Sequence, residues 1–398
     1  MGDLGTVVTG KTPTTKTPEY WGGKVPFVTP KDLQGTKHIF RTERSITDVG
    51  MGKVEGSKLP PNAVCVSCIG NIGYVGMTTK NCVSNQQINS IVVNENHDPS
   101  FIYYLMKSLW PYFKNYEGQS TTLSILNKTQ FSKIEVLVPK LEIQKEIAGI
   151  LSSFDNKIEL NNKINANLQQ QAQAIFKSWF VENVDSSEWK CGTFSDIIEK
   201  TISGDWGKDK PSGNYTEMVY CIRGADIPEI RLGNKGKIPT RYILPKNYAS
   251  KQLMNGDIVV EISGGSPTQS TGRAAAISNA LLNRYEKGMV CTNFCKAMKP
   301  IPGYSMYVYH YWKYLYDLGV FFSYENGTTG IKNLDINGFL EMESIRIAPP
   351  ELVRKFDVIC QSIFSKIYAN GLESERLSLL RDTLLPKLMN GEIDISGT

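Results

Sequence analysis

Two pairs of cysteines have the close spacing found at metal sites: Cys65 with Cys68, and Cys291 with Cys295. A structural zinc site needs four sulfur or nitrogen ligands, yet the chain has only three histidines and each pair lies inside an apolar run. The eight cysteines are spread over 398 residues, which is too dilute for a disulfide framework. We therefore expect reduced, buried thiols and no metal site.

The motifs of enzymes that act on nucleotides are not found in the sequence. No GxxxxGK(S/T) phosphate-binding loop occurs. The two proline pairs, in LPPNA and APPEL, lack the preceding Asn or Asp and the following aromatic residue that adenine methyltransferases use. The clustered carboxylates and lysine of a nuclease do not occur at a suitable spacing. The sequence therefore predicts no catalytic residue in this chain.

Polar side chains on turns rich in glycine form a second set of candidates. Arg, Lys, Asn, Gln, Ser and Thr on loops bind base edges and phosphates in nucleic-acid-binding proteins. Each also has a structural alternative, because Gly and Thr turns close hairpins and Gln86 or Gln87 can satisfy buried strand ends. The candidates are Lys11, Thr12, Lys31, Asn71, Gln86, Gln87, Ser120, Thr121, Arg223, Thr268, Gln269, Arg273, Asn293, Thr328, Thr329 and Lys332.

Charge and composition limit the choice of partner and location. The net charge is +5, with a surplus of +4 in residues 1–139 and +2 in residues 184–348, which favours DNA contact in these two blocks. No apolar run approaches 20 residues, so we expect no membrane span. The opening MGDLGTVVTGKTP lacks the basic and apolar segments of a secretion signal, which predicts a cytoplasmic protein.

The two blocks are halves of an internal repeat. KVPFVTPKDL (residues 24–33) parallels MVYCIRGADI (218–227), and LPPNAVCVSCIG (59–70) parallels LMNGDIVVEISGG (253–265). Near the end of each block, a turn, a polar helix-like stretch and an alternating apolar strand precede Pro139 and Pro349. Low identity between the pairs indicates one scaffold with two different surfaces.

A long helical segment follows each block. Apolar and small polar residues recur at alternating steps of four and three, which is coiled-coil spacing. The first predicted seam contains Ile147, Leu151, Phe154, Ile158, Asn161, Asn165, Leu168, Ala172, Ile175 and Trp179. The second, 209 residues later, contains Phe356, Cys360, Ile363, Ile367, Asn370, Ser374, Leu377, Arg381, Leu384 and Leu388. The matching polar centres predict that the two helices pair; a helical hairpin inside a single core is the alternative.

The chain resembles the specificity subunits of type I restriction-modification systems, the HsdS family. The resemblance covers essentially the whole chain and rests on VVTGKTPTTKTPEYWGGKVPFVTPKDL, GNIGYVGM with NQQIN, the central stretch from VPKLEIQKEIAG to AIFKSWF, and LLRDTLLPKLMNGEI. Two departures affect the candidates. Residues 188–198 have no counterpart before VVTGKTP, so the first strand is either shortened or completed by the carboxyl end of the chain. SGDWGKDKP and CTNFCKA stand where GKTP and NQQ are expected.

The resemblance implies an α+β protein with a pseudo-two-fold repeat. Target-recognition domains would span residues 1–139 and 184–348, each reading one half of a bipartite site in double-stranded DNA. Helices in residues 140–183 and 349–398 would pair antiparallel as a coiled coil and set the spacer. The chain itself would need no cofactor. Two modification subunits would carry S-adenosylmethionine, and restriction subunits using ATP and Mg²⁺ could join them.

Two other functions fit the same sequence features. A coiled-coil scaffold with two protein-binding domains would show no salt-dependent affinity for DNA. A detached recognition subunit of a type II system would share the fold but serve a fused methyltransferase-nuclease. Identification of the partner proteins distinguishes these possibilities.

Overall fold

The computed structural model describes residues 1–118, 124–183, 187–266, 269–327 and 331–393. Ser120, Thr121, Thr268, Thr328 and Thr329 lie outside these ranges. Contacts divide the chain into unit 1, Met1–Glu159 with Leu377–Thr398, and unit 2, Leu160–Arg376. Each unit therefore contains one globular block and a part of both long helices.

Unit 1 contains two sheets. Its strands are β1 (Gly5–Thr9), β2 (Trp21–Val28), β3 (His38–Ile39), β4 (Arg44–Ile46), β5 (Lys58–Leu59), β6 (Val64–Ser67), β7 (Val75–Thr78), β8 (Cys82–Ser84) and β9 (Ile88–Val93). Its helices are α1 (Asp48–Gly52), α2 (Pro99–Ser108), α3 (Trp110–Gly118) and α4 (Lys128–Ser132). One sheet has the order β1-β9-β6-β7-β3 and the other β4-β2-β8-β5.

Unit 2 contains the second globular block. Its strands are β10 (Lys190–Thr193), β11 (Ile198–Ser203), β12 (Glu217–Ile222), β13 (Thr240–Ile243), β14 (Ile258–Glu261), β15 (Ser263–Gly264), β16 (Ala274–Ala276), β17 (Met289–Cys291), β18 (Cys295–Pro300), β19 (Glu325–Asn326), β20 (Lys332–Leu334) and β21 (Ser344–Ile347). Its helices are α6 (Ile227–Arg231), α7 (Pro245–Lys251), α8 (Asn279–Leu282), α9 (Ser305–Asp317) and α10 (Ile336–Met342).

The strand orders confirm the internal repeat. The order β11-β18-β14-β16 in unit 2 repeats β1-β9-β6-β7 in unit 1, and β13-β12-β17 repeats β4-β2-β8. Each of the smaller sheets also contains one parallel pair of strands at the same place. In unit 1, β2 is parallel to β8, and in unit 2, β12 is parallel to β17. Both halves thus fold on one α+β plan.

Buried strands and capped turns explain why the two segments fold alike. All four residues of β6 and of β14 are buried, as expected for strands covered on both faces. After β2 and β12, the carboxylates of Asp32 and Asp226 accept hydrogen bonds from the backbone of Thr29 and Arg223, and each closes a short 3₁₀ turn. The same turn therefore ends the same strand in both halves.

The two long helices are α5 (Leu141–Phe176) and α11 (Pro350–Met389). In unit 2 they run antiparallel, because Asn161 contacts Ser374 while Phe176 lies beside Phe356. In unit 1 the Asp155 side chain binds Arg381. The contact division falls within both helices, at residues 159/160 and 376/377.

The predicted strand before Pro139 is wrong, whereas its counterpart before Pro349 forms. Ser344–Ile347 is a strand because it pairs with Lys190–Thr193. Residues 134–140 have no strand assignment, and within the described part of unit 1 no strand pairs with them. The amino group of Met1 instead donates to the carbonyl oxygens of Ser132 and Ile134 at 3.1 and 2.7 Å.

Candidate DNA interface

In unit 1 three loops meet at one end of the larger sheet. The pairs Thr9–Asn89 and Ser67–Ile88 place the ends of β1 and β6 beside the start of β9. The loops that leave or enter at this end are residues 10–13, 68–74 and 85–87, which we call loop edge 1. Loops held by a rigid sheet in this way are common sites of recognition.

Close backbone contacts fix the central turn of loop edge 1. The Asn85 amide donates to the Val28 carbonyl at 2.9 Å, and the Cys68 amide donates to the Gln87 carbonyl at 2.7 Å. A Cβ at Gly10 would overlap the carbonyl oxygen of Asn85. Glycine is therefore required where the first loop crosses the turn.

Five of the predicted DNA contacts in the first half lie on loop edge 1, and four of them are exposed. Lys11, Thr12, Asn71 and Gln86 are exposed there, and the Thr12 hydroxyl donates to Gln86 Oε1 at 2.5 Å. Gln87 is half-buried, and its Oε1 accepts from the Asn85 side chain at 2.8 Å. These side chains offer an ammonium, amides and hydroxyls, the groups that read base edges and phosphates.

Lys31 lies apart from this group. It stands in the turn after β2, where its ammonium binds the exposed carboxylate of Glu43 at 2.9 Å. An exposed pair of this kind is worth little and opens easily. Lys31 as a DNA contact stays a prediction.

Unit 2 builds the same edge with different side chains. The Thr292 amide donates to the Ile222 carbonyl and the Ile262 amide to the Phe294 carbonyl, both at 2.9 Å. A Cβ at Gly204 would overlap the Thr292 carbonyl. These contacts reproduce those of Asn85, Gln87 and Gly10 in unit 1. We call residues 204–216, 262–266, 269–273 and 292–294 loop edge 2.

Two predicted contacts of the second half, Gln269 and Asn293, are exposed on loop edge 2. Asn293 is the middle residue of its turn, as Gln86 is in unit 1. Thr268 falls in the same loop but outside the described residues. The sequence comparison found no equivalent of NQQ in this half because only the backbone of the turn is shared.

The three predicted basic contacts of unit 2 are held by carboxylates. Arg273 makes two hydrogen bonds to Glu261, at 2.8 and 2.6 Å, and Lys332 binds Glu325 at 2.7 Å. Arg223 makes a similar double contact with Asp226, at 3.0 and 2.9 Å. These hydrogen bonds raise the pKa of Arg273 and of Arg223. The carboxylates are at most 7% exposed.

Internal pairing changes what these cations can contribute. Each supplies the positive charge opposite a buried carboxylate, which is costly to bury without a counter-charge. Their positive charge is therefore largely compensated within the unit, and a phosphate would have to compete with the carboxylate. DNA contact by Arg223, Arg273 and Lys332 stays a prediction. Their hydrogen bonds to the carboxylates show that all three stabilise their loops.

Sequence reasoning missed two aromatic residues on loop edge 2. Trp206 is 37% exposed, and the guanidinium of Arg241 lies 4.0 Å from the centre of its ring. Phe294 is 59% exposed at the end of the central turn. Their positions match Thr12 and Gln87 in unit 1. The signal was present in the departures SGDWGKDKP and CTNFCKA.

The predicted helix seam is buried to different degrees. Among the predicted seam residues, the buried ones include Ile147, Leu151, Asn161, Asn165, Phe356, Ile367 and Asn370. Half-buried members are Phe154, Ile158, Leu168, Ile175, Ile363, Leu377 and Leu384. Fully buried Phe176, beside half-buried Ile175, packs against Tyr307 and Phe356. The helix therefore buries a face against its own globular block as well as against the other helix.

Polar side chains meet at the middle of the helix pair in unit 2. Asn370 Nδ2 donates to Asn165 Oδ1 at 2.8 Å, and Asn161 Nδ2 donates to Ser374 Oγ at 3.2 Å. Asn165 Nδ2 also donates to the Ile367 carbonyl at 3.0 Å. Buried amides that must find partners fix the register of paired helices, at some cost in stability.

A charged cluster was missed in the helix pair of unit 1. Asp155 accepts hydrogen bonds from Arg381 and from the Tyr104 hydroxyl, the latter at 2.5 Å. Although burial acts to lower it, the neighbouring carboxylate raises the pKa of Arg381. The Asp155 and Arg381 side chains are only 4% and 11% exposed. This cluster ties both long helices to α2.

The cysteines differ from expectation at one position. Seven are buried, and burial raises the pKa of Cys65 to about 11 and of Cys68 to about 12. Cys191 is exposed because it lies on the two-stranded sheet of β10 and β21. Within the described ranges, no group of three or more His, Cys, Asp or Glu side chains could hold a metal ion. Nor do those ranges include a helix long and apolar enough to cross a membrane.

Comparison with known proteins points to one family. The sequence pattern of the type I restriction modification DNA specificity domain matches residues 1–170. The type I restriction enzyme MjaIX specificity subunit of Methanocaldococcus jannaschii is 28% identical over 99% of this chain and 92% of that protein. The HindI specificity subunit of Haemophilus influenzae is 35% identical over 40% of this chain and 36% of that protein.

A solved structure shares the fold. The crystal structure of a type I restriction-modification system S subunit from M. genitalium matches with a TM-score of 0.51 and 18% identity, covering 97% of this chain and 94% of that one. Residues 1–170 thus match the type I restriction modification DNA specificity domain, and over 99% of its length the chain is homologous to a type I restriction enzyme specificity subunit.

Proposed function

We propose that loop edges 1 and 2 each read one half of a bipartite site in double-stranded DNA. The proposal rests on one observation: the two units share the same loop backbone but expose different side chains on it. Gly10 and Gly204 cross equivalent turns, yet the turns present Gln86 and Gln87 in one unit and Asn293 and Phe294 in the other. A shared scaffold with divergent loops suits two readers of different sequences.

Catalysis lies in partner subunits. Modification subunits, two per chain, supply S-adenosylmethionine-dependent methyl transfer, and restriction subunits supply ATP- and Mg²⁺-dependent activity where they are present. The modest positive surplus of the two blocks provides few phosphate contacts, so tight binding needs the modification subunits to close on the duplex. The cytoplasm, where the host DNA lies, is the expected location.

The paired helices set the number of unread base pairs between the half-sites. A helix of 36 residues such as α5 is about 54 Å long at 1.5 Å per residue. One added heptad lengthens each helix by about 10 Å and preserves its buried face. At 3.4 Å per base pair this corresponds to about three base pairs of DNA.

A matched insertion tests this ruler. One heptad is inserted before Asn165 and a second after Asn370, so that these two hydrogen-bonded side chains stay together on the same side of both insertions. We expect both half-sites to stay unchanged while the spacer grows by about three base pairs. A control with the heptad in α5 alone should lose the helix pairing and the methylation. Altered half-sites in the matched variant would contradict the proposal.

Co-purification distinguishes the competing functions. Affinity purification of the chain from its host, followed by mass spectrometry, should recover a separate methyltransferase subunit. The complex should bind DNA with an affinity that falls as salt rises. A fused methyltransferase-nuclease as partner would instead indicate a type II system. Protein partners without any salt-dependent DNA binding would indicate a scaffold.

A further inference from the structure

Loop edge 2 presents an apolar ring at a fixed position. Phe294 is 59% exposed, although its backbone carbonyl is held by two amides, those of Ile262 at 2.9 Å and Ser263 at 3.2 Å. Within the described residues no aromatic ring lies against its own. The turn therefore holds a large apolar side chain towards solvent on a backbone that cannot easily withdraw it.

The equivalent position in unit 1 behaves differently. Gln87, whose carbonyl accepts from Cys68 as that of Phe294 does from Ile262, is half-buried and tied to Asn85. Thr12 is likewise replaced by Trp206 in unit 2. Loop edge 1 is thus polar, whereas loop edge 2 carries two exposed aromatic rings.

An exposed apolar ring gains free energy when it is buried against an apolar surface. In the major groove, the apolar group that a base pair presents to a protein is the 5-methyl group of thymine. We propose that Phe294 contacts the 5-methyl group of a thymine in the half-site read by unit 2, and so helps to specify an A·T pair there. This inference rests on the proposed function, because it takes loop edge 2 to be a DNA-reading surface.

Deoxyuridine provides a direct test, since it pairs like thymidine but lacks the methyl group. The full chain is assembled with its modification subunits, and its half-sites are defined by methylome sequencing. Each thymine of the unit 2 half-site is then replaced in turn by deoxyuridine in a synthetic duplex. Binding is measured for the wild type and for Phe294→Ala.

The wild-type complex should bind about fourfold more weakly when the contacted thymine loses its methyl group, the effect of exposing one such group. Phe294→Ala should weaken binding to the thymine duplex by at least as much and be insensitive to deoxyuridine at that same position. Equal sensitivity of both proteins at every position would overturn the inference. A unit 2 half-site without an A·T pair would overturn it as well.

Met342→Ala is the matched control. Met342 is 66% exposed and is the last residue of α10. In this helix the Leu340 carbonyl accepts a hydrogen bond from Ser195, which precedes β11. Met342 therefore lies near the start of β11, whereas loop edge 2 lies at its end. This variant should bind as the wild type does and keep its sensitivity to deoxyuridine. If the proposed function itself is wrong, neither the wild type nor any variant should show salt-dependent, sequence-specific binding. That result differs from a loss of deoxyuridine sensitivity alone.

Discussion

The buried contact between Asp155 and Arg381 should determine how tightly the long helices associate in unit 1. Arg381→Met removes the guanidinium and leaves the Asp155 carboxylate, 4% exposed, with the Tyr104 hydroxyl as its remaining side-chain partner. Breaking a buried ion pair from one side costs about 3 kcal/mol or more. The free energy of local opening should fall by this amount, which makes amide exchange roughly a hundredfold faster.

Hydrogen–deuterium exchange measured by mass spectrometry reports on the helices separately from the rest of the chain. Peptides covering residues 147–159 and 377–389 should exchange faster in Arg381→Met. Adding Asp155→Asn should restore much of the protection, because an amide still accepts from Tyr104 and the carboxylate that lost its guanidinium partner is no longer present. Lys387→Met, at an exposed position of the same helix, is the control. Equally fast exchange in the single and double variants would show that the Asp155–Arg381 contact does not hold the helices together.

Two further outcomes follow from buried groups in the globular blocks. Burial holds the pKa of His310 at about 3 in the folded protein, so the unfolded chain binds the proton first as the pH falls below about 6.5. Between pH 7 and 5 the free energy of unfolding of the wild type should fall by about 2 kcal/mol more than that of His310→Gln. Urea unfolding of the full chain, followed by a signal from unit 2, measures this difference. Equal losses in the two proteins would exclude a neutral buried imidazole. Gly10→Ala forces a Cβ onto the Asn85 carbonyl, so the free energy of unfolding should fall by about 1–3 kcal/mol. The variant should also lose methylation that depends on the first half-site. Gly35→Ala, where a Cβ meets nothing within 4 Å, should change neither thermal stability nor methylation.

The repeat and the long helices could be predicted because their signals are periodic. Alternating steps of four and three residues identify paired helices. The strands β6 and β14 each begin with three apolar residues, VCV and IVV. The register on α5 was less predictable. Phe176 rather than Ile175 is fully buried, because the helix packs on Tyr307 of the globular block as well as on Phe356 of the other helix. A heptad pattern describes contacts between two helices and contains no information about packing against a globular block.

The interface could be predicted only where exposure follows from local sequence. Lys11 and Asn71 follow glycines in their loops, Gln86 lies in the polar turn between β8 and β9, and all three are exposed. The pairing of Arg273 with Glu261 joins the start of β16 to the end of β14, and Lys332 meets Glu325 across β19 and β20. Such partners are set by strand pairing, so a basic residue in the sequence cannot be read as a free cation.

In the proposed function each loop edge reads its half-site independently. Methylome sequencing of a host that produces the chain with its modification subunit tests this, first with the wild type and then with Gln86→Ala. The wild type should methylate a bipartite motif with a fixed spacer. In the variant, sequence preference should relax in one half of the motif while the other half and the spacer stay the same. A change in both halves, or a motif that is not bipartite, would contradict the account.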